Sequence, residues 1–278
     1  MTREEAFLYN DFVASQLQYE KTISYKDFFK STVFQELIEI AKQHISLPSV
    51  LPTGDTPFWF RKGNIHLHPR IQEISKQYIE PLLEKKDAFL IGDTAFCINH
   101  PPHDIHIDNR DFRTNLQNKK GIIGYKTVVI PLEIDTDDYP FLFTSNQYFY
   151  GPTTRFRKGF EDIDSKFENI LLQKNNGVYF SYDYAKDGVQ FLSNENLSRE
   201  WYDRYIDYDL QKPWGVPFSS FEGLSIEKEN VWKPNNVIAF DSSRIHFGEL
   251  ISKRSATYKL GISLNYGIKV VDIPKNLM

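Results

Sequence analysis

The sequence predicts a mainly β fold, a sandwich or a barrel, with helices packed against one side. Aromatic residues make up 15% of the 278 residues, and aromatic and β-branched runs favour strands. Helical patterns lie in the first third of the chain, and many short strand patterns follow them. Helices followed by a series of strands are typical of a sheet structure that the helices cover from one side.

Two amphipathic helices are predicted in the N-terminal third. Residues 31–45 carry apolar side chains at helical spacing, and Thr32 with Gln35 three residues later matches a capping box. Residues 69–86 form the second pattern, in which a proline stands at the first helical position. Pro81 lies inside this pattern, so we expect the helix to kink or to restart there.

Strand patterns dominate the rest of the chain. They are rich in apolar, aromatic and β-branched residues and cover residues 88–99, 121–134, 141–144, 178–182, 237–240 and 257–268. One further helix is predicted near residues 195–206. The sequence has no internal repeat and no Gly/Ser-rich linker that would divide it. We therefore expect one domain over residues 1–278, with residues 1–87 as a helical support.

Composition and charge narrow the possible partners and the compartment. A formal net charge of -4 gives no sign of a surface that binds nucleic acid. Cys97 is the only cysteine, so we expect no disulfide within the chain, no cysteine-based zinc site and a reducing compartment. The first residues are charged, and no apolar run approaches the length of about 20 residues that crosses a bilayer. We expect a cytoplasmic protein without a membrane span.

The segment His106-Ile107-Asp108 is the strongest candidate for a metal-binding motif. Residues i and i+2 of an extended strand point to the same side, so an imidazole and a carboxylate could bind one metal ion together. His246 is the only histidine after His106, and it follows a predicted strand across a short turn. Two strand-borne ligands and one distant histidine form the facial triad of non-haem iron(II) oxygenases, which leaves coordination positions open. We call His106, Asp108 and His246 the triad.

Other histidines leave alternatives open. A His-x-Asp pair is by itself a weak signal, because it also occurs by chance in surface loops and turns. His66 and His68 form a second pair at strand spacing, although no acidic residue lies next to them. The neighbouring residues His103 and Asp104 cannot share a strand face, because adjacent residues point to opposite sides. Cross-strand pairing or solvent exposure would explain the His66 and His68 pair equally well.

The C-terminal third resembles the end of the double-stranded β-helix in the Fe(II)/2-oxoglutarate-dependent dioxygenase superfamily. The resemblance rests on Val237-Ile-Ala-Phe-Asp241, then His246, then Lys259-Leu-Gly-Ile-Ser263. The run Gly124-Tyr-Lys-Thr-Val-Val-Ile-Pro-Leu-Glu133 is similar to the strand that follows the first two ligands in that fold. The chain is broadly similar to the phytanoyl- and prolyl-hydroxylase-like group of this superfamily.

The resemblance implies a jelly-roll, cupin-like barrel in which the triad holds Fe(II). It also implies a basic residue on the last strand that binds the far carboxylate of 2-oxoglutarate, with Lys259 as the first candidate and Arg254 as the second. Gly261 occupies the usual position of that residue, which departs from the family pattern. Three polar side chains are further candidates for binding 2-oxoglutarate: Ser263, Asn99 and Tyr125.

The activity that the resemblance implies is hydroxylation of an unactivated C–H bond in a small molecule or an amino-acid-like substrate, with dioxygen. The resemblance covers residues 88–150 and 218–268. His106 and His246 are 140 positions apart, which is a long spacing for this fold. We therefore expect residues 151–217 to form an insertion over the site, where loops often determine substrate choice. Its side chains that could contact substrate are Arg155, Arg157, Trp201 and Trp214. The alternative interpretation is a cupin-type metal- or ligand-binding barrel without oxygenase activity.

Overall fold

The computed structural model describes the two main sheets, the helices that cover them and the triad. The residues that it describes are 12–13, 15–17, 20–45, 59–99, 105–108, 121–148, 170–175, 178–183, 188–192, 197–206, 218–221, 223–271 and 273. No helix within these residues is long and apolar enough to cross a membrane.

Strands make up most of the regular structure in the described part of the chain. In chain order they are β1 (Ile23–Tyr25), β2 (Trp59–Lys62), β3 (Phe89–Leu90), β4 (Ala95–Asn99), β5 (Ile122–Ile134), β6 (Phe141–Tyr148), β7 (Ile170–Asn175), β8 (Val178–Asp183), β9 (Gly188–Leu192), β10 (Ile226–Val231), β11 (Val237–Asp241), β12 (Arg244–Gly248) and β13 (Lys259–Lys269). The helices are α1 (Ser31–His44), α2 (Pro69–Ile74) and α3 (Arg199–Tyr205). The predicted mainly β composition is confirmed.

Two antiparallel sheets pack against each other. The larger sheet has the strand order β1-β11-β5-β13-β4-β2, and β3 also pairs with β13. The smaller sheet has the order β10-β6-β12. An isolated antiparallel bridge between His106 and His246 adds a further chain segment beside β12. The smaller sheet therefore has four adjacent chain segments.

The chain alternates between the two sheets, which is the property that defines a double-stranded β-helix. From β4 in the larger sheet it crosses to the His106 segment in the smaller one, and then returns to β5. It continues to β6 and β10, which are neighbours in the smaller sheet, and then visits β11, β12 and β13 in alternate sheets. The jelly-roll fold that the sequence resemblance implied is confirmed.

Strand β13 separates the main core from the space between the sheets. Leu260 and Ile262 point into the main core, where α1 and α2 cover the larger sheet. Side chains alternate along a strand, so the intervening residues point the other way. Lys259 and Gly261 accordingly lie against Trp232, which belongs to the smaller apolar cluster between the sheets.

Helix α1 covers the predicted residues but begins differently from the prediction. Lys30 occupies the N-cap position, and no side chain caps this end. The predicted capping box is therefore wrong. Thr32 lies inside the first turn, where its hydroxyl cannot take the place of the N-cap group.

The second helical pattern changes its type along its length. Helix α2 begins at Pro69, as predicted, and is followed by a π turn at Ser75–Ile79 and a 3-10 turn at Glu80–Leu82. Pro81 lies in the 3-10 turn. It lacks the amide hydrogen that a continuing α-helix would need, so the helical segment ends at Leu82 and does not restart, four residues before the predicted end at residue 86.

The segment expected to be an insertion contains a small sheet and a helix. Strands β7, β8 and β9 form a separate three-stranded sheet, and Ser198 caps α3 by accepting a hydrogen bond from the Trp201 amide. The rings of Trp201 and Tyr205 pack on Phe143 of β6, with centroids 4.9 and 5.2 Å away. Trp201 therefore packs on the smaller sheet. The other substrate-contact candidates lie outside the described residues: Arg155, Arg157 and Trp214.

Candidate metal centre

Backbone hydrogen bonds hold the His106 segment beside β12. The amide of His106 donates to the His246 carbonyl at 3.0 Å, and the amide of His246 donates to the His106 carbonyl at 2.9 Å. The amide of Asp108 donates to the carbonyl of Ser242 at 3.0 Å. His106 and Asp108 are two positions apart in this extended segment, so their side chains lie on the same side. The pairing brings both of them next to His246.

The three side chains of the triad converge on one point. Asp108 Oδ1 lies 3.7 Å from His106 Nε2, and Asp108 Oδ2 lies 3.4 Å from His246 Nε2. The ligand atoms of the triad all lie within 4.8 Å of one another. In the described part of the chain, no other set of three or more His, Cys, Asp or Glu residues is as close together. Adjacent ligands of an octahedral ion with bonds of about 2.1 Å are about 3 Å apart. The distances of 3.4 and 3.7 Å from Asp108 to the two imidazoles are somewhat wider than this, so a small inward movement of the side chains would let the triad bind one divalent ion.

A hydrogen bond at Nδ1, the ring nitrogen that does not face Asp108, fixes the orientation of the His246 side chain. Its Nδ1 lies 2.9 Å from the carbonyl oxygen of Arg244. A carbonyl can only accept a hydrogen bond, so Nδ1 carries a proton, and Nε2, the nitrogen that faces Asp108, is the one left to bind a metal. The ring also packs on Phe240, with centroids 4.5 Å apart. Metal-binding histidines are usually oriented by such a contact of the second nitrogen.

Asp108 is held in its ionised form. Desolvation inside the protein would raise the pKa of its carboxyl, but the positive charges that His246, His106 and Arg61 can carry outweigh this effect. The pKa of Asp108 therefore lies well below its ordinary value. An ionised carboxylate beside two imidazole nitrogens is the form that binds a divalent metal.

Lys259 is a buried cation on the side of β13 that faces the space between the sheets. The residue is 3% exposed, and its Nζ lies 5.4 Å from the centroid of the Trp232 ring. Within the described residues, no carboxylate and no hydrogen-bond acceptor pairs with this ammonium group. Burial lowers the pKa of Lys259 to about 8, although Glu249 and Cys97 act in the opposite direction. Because a buried unpaired charge is costly, this position favours the binding of an anion.

Arg254, the second candidate for the basic residue, already has two partners. Its Nε lies 2.8 Å from Oε1 of Glu249, and its Nη1 lies 3.1 Å from Oδ1 of Asp138. Arg254 ends a 3-10 turn, Ile251–Arg254, that precedes β13. Glu249 is fully buried, so its charge depends on this ion pair. The guanidinium group of Arg254 is therefore engaged in holding the chain between β12 and β13.

The three polar residues that were predicted to bind 2-oxoglutarate lie in different parts of the larger sheet. Tyr125 belongs to the main core, on the side of the larger sheet away from Lys259, and its hydroxyl already contacts a backbone amide and a carboxylate. Ser263 lies on the same side of β13 as Lys259, and its Oγ accepts a hydrogen bond from Asn265 at 3.3 Å. Asn99 lies opposite Lys259 in the strand register, but its side chain is outside the described residues. The structure thus places Tyr125 away from the triad.

Two residues near the triad, Arg61 and Cys97, were not identified from the sequence as candidates for the site. Arg61 on β2 lies across from Cys97 on β4. Burial raises the pKa of the Cys97 thiol to about 11, and the charges of Arg61, Asp108 and Lys259 all act on it. Cys97 is therefore close enough to Asp108 of the triad and to Lys259 to feel both charges. No strand was predicted at Arg61, because β2 directly follows a loop rich in proline.

Comparisons with known proteins give distant likenesses. No protein-family model matches the sequence, and no curated protein matches it. Among solved structures, the epimerase SnoN in complex with Fe3+, α-ketoglutarate and nogalamycin RO is 9% identical, with a TM-score of 0.47, over 93% of this chain and 83% of that chain.

Two further structures give similar values. HygX from Streptomyces hygroscopicus, with nickel and 2-oxoglutarate bound, is 11% identical, with a TM-score of 0.42, over 96% of this chain and 87% of that chain. EctD from S. alaskensis, with 2-oxoglutarate and 5-hydroxyectoine, is 12% identical, with a TM-score of 0.40, over 96% of this chain and 76% of that chain. The fold assignment rests on the strand order. This chain is a double-stranded β-helix protein in which His106, Asp108 and His246 converge.

Proposed function

We propose that this protein is an iron(II)- and 2-oxoglutarate-dependent oxygenase that hydroxylates an unactivated C–H bond of a small molecule or an amino-acid-like substrate. The observation that carries the proposal is the presence of two complementary sites in one double-stranded β-helix. The triad offers a metal-binding group, and Lys259 offers an unpaired buried cation. A metal-binding group alone would suit many barrel proteins. The cation supports a co-substrate that chelates metal at one end and carries a carboxylate at the other.

The donor set fits iron(II). Two imidazoles and one carboxylate on one side of the ion are the ligands of non-haem iron(II) oxygenases, and they leave the opposite side open. Two imidazoles at right angles on one ion place their ring centroids about 4.5 Å apart. The rings of His106 and His246 have centroids 4.1 Å apart. This spacing supports His106 and His246 as neighbouring ligands of the same ion.

Lys259 is the residue that we assign to the far carboxylate of 2-oxoglutarate. Its ammonium group has no competing partner among the described residues, whereas Arg254 is already held by two carboxylates. Ser263 lies on the same side of β13 and could donate its hydroxyl hydrogen to the same anion. An oxo acid without a second carboxylate would leave the lysine charge buried and unpaired. We therefore expect selection for a dicarboxylate.

The other contribution of the chain is to position the reactants and to exclude water. Iron(II) held by the triad would supply the chemistry that acts on a C–H bond, with dioxygen as the oxidant and 2-oxoglutarate as the reductant that is oxidised to succinate and CO2. The apolar cluster between the sheets consists of Leu142, Trp232, Ile238 and Phe240. Phe240 packs directly on His246, so this wall shields one side of the triad from water and strengthens the electrostatic interactions inside.

Anaerobic titration of the metal-free protein tests the proposal. Fe(II) is added first and 2-oxoglutarate second, and we expect a weak visible absorption band when the co-substrate chelates the metal. Pyruvate is the matched control, because it has the chelating 2-oxo acid group but lacks the second carboxylate. The proposal would be refuted by the absence of a band together with an unchanged thermal stability after both additions. That outcome would favour the cupin-type binding barrel.

Two variants separate the metal step from the co-substrate step. His106→Ala should abolish Fe(II) binding and therefore the absorption band. Lys259→Met should retain Fe(II) binding and weaken the binding of 2-oxoglutarate by about 10- to 100-fold, the value of a hydrogen bond to a charged group. Equal affinity for 2-oxoglutarate in Lys259→Met and the wild type would exclude Lys259 as the anchor without affecting the assignment of the metal.

A further inference from the structure

Three histidines outside the triad lie near the helices that cover the larger sheet. His44 ends α1, His66 lies in the 3-10 turn Ile65–Leu67, and His68 is the N-cap residue of α2. The strand spacing expected for His66 and His68 is wrong, because a 3-10 turn has about three residues per turn and turns the two side chains in different directions. His68 instead faces His44, with ring centroids 5.4 Å apart and ring planes at 75°.

The rings of His44 and His68 each have a nitrogen that is available to a metal. Nδ1 of His44 lies 2.9 Å from the carbonyl oxygen of Ile40, so it carries the proton and Nε2 keeps a lone pair. Nδ1 of His68 is buried and has no hydrogen-bond partner within the described residues. Buried polar atoms without a partner are rare in folded proteins, and an ion or a water molecule usually accounts for them.

The spacing of these two rings fits a tetrahedral ion. Two imidazoles bound at about 2.0–2.1 Å, with a tetrahedral angle between them, have ring centroids about 5 Å apart. The observed distance of 5.4 Å is close to this value. The backbone holds both rings in place, because His44 belongs to the last turn of α1 and the amide of His68 donates to the Ile65 carbonyl at 2.9 Å. A site of this kind needs little rearrangement to bind an ion.

We propose that His44 and His68 form a second metal site for a divalent transition ion that prefers imidazole ligands, such as Zn2+, Ni2+ or Cu2+. Within the described residues, no carboxylate or thiol completes a three-ligand group with these histidines, so water molecules fill the remaining positions. The ion joins the end of α1 to the start of α2 and ties the two helices together over the larger sheet.

Zn2+ uptake by a chain without the triad histidines tests this second site. In the double variant His106→Ala/His246→Ala, calorimetric titration should show one equivalent of Zn2+, and the thermal unfolding temperature should rise with Zn2+ because the ion binds only the folded state. Adding His44→Gln or His68→Gln to this background should abolish both effects.

His66→Gln is the matched control in the same background. Nδ1 of His66 is also buried without a partner, but the ring lies near Gly92, where an added Cβ would be 3.8 Å from its Cε1. This variant should keep the Zn2+ equivalent.

The wild-type chain provides a measurement that does not depend on the folding of the double variant. It should bind two equivalents of Zn2+, and His68→Gln should reduce this number to one. One equivalent in the wild type would overturn the proposal. Uptake by the double variant that survives both His44→Gln and His68→Gln would overturn it as well, since the ion would then be held elsewhere.

Discussion

Replacing Lys259 with methionine should stabilise the protein at neutral pH. The side chain is buried without a partner among the described residues, and burial lowers its pKa from 10.5 to about 8. A fall of this size corresponds to a cost of about 3 kcal/mol for the charged form in the folded state. Methionine is also unbranched and carries no charge. We expect a gain of about 1–3 kcal/mol, because part of the cost is offset by the attraction of the ammonium to the Trp232 ring.

The gain should disappear as the pH rises. Below pH 8 the lysine is protonated in the folded and in the unfolded chain, so the full cost of the buried charge is present. Between about 8 and 10.5 the folded protein loses this proton while the unfolded chain keeps it, so the wild type becomes more stable with increasing pH. Above 10.5 the lysine is neutral in both states, and the difference between wild type and variant vanishes.

Urea unfolding across this pH range measures the effect, as a change in the midpoint with an unchanged slope. Lys259→Arg is the control, because a guanidinium group stays charged over the whole range and its deficit relative to methionine should persist. Fe(II) with 2-oxoglutarate should stabilise the wild type more than Lys259→Met, since a ligand stabilises the state that binds it. A methionine variant less stable than the wild type at neutral pH, or a difference independent of pH, would refute this account of Lys259.

Three further substitutions test other parts of the site. His246→Ala should abolish iron binding and turnover while the far-ultraviolet circular dichroism spectrum stays unchanged. Gly261→Ala should lower the free energy of unfolding by about 1–3 kcal/mol, measured by thermal unfolding, because the added Cβ would lie 2.9 Å from Cζ2 of Trp232. Arg254→Ala should cost about 2 kcal/mol in urea unfolding, because it leaves the buried Glu249 without its ion pair. It should not change the KM for 2-oxoglutarate.

Each of these outcomes can contradict the structural interpretation. Iron binding retained in His246→Ala would remove this residue from the triad. An unchanged stability of Gly261→Ala would mean that Trp232 does not pack tightly against β13. A raised KM for 2-oxoglutarate in Arg254→Ala, with Lys259→Met unaffected, would move the anchor from Lys259 to Arg254.

The triad could be predicted from the sequence for two reasons, the periodicity of extended chains and the small number of later histidines. The two-residue period of extended chains placed His106 and Asp108 on one side, and only one histidine follows them. The structure brings the three ligand groups within 4.8 Å of one another. The anchor could not be chosen in the same way, because the choice between Lys259 and Arg254 depends on which of them already has a partner.

Strand β12 could not be predicted because its first residue is charged and buried. Arg244 is 3% exposed, and its guanidinium Nη1 lies 3.1 Å from Oε2 of Glu227 and 2.7 Å from the carbonyl oxygen of Ser145. Its partners belong to other strands, far away in the sequence. A local pattern of apolar residues contains no information about such compensation, so a charged residue beside two serines predicted a turn.

The long separation between the first two ligands and His246 follows from the strand order. Strands β6 and β10 are neighbours in the smaller sheet, and residues 149–225 connect them at one end. A connection between adjacent antiparallel strands can be lengthened without moving either strand, and the entropic cost of closing it grows only slowly with its length. His246 is placed by the pairing of β12 with β6 and by its bridge to His106, and neither contact involves residues 149–225. The spacing of 140 positions is therefore compatible with a compact triad. Under the proposed function, changes within residues 149–225 should alter substrate choice before they alter metal binding.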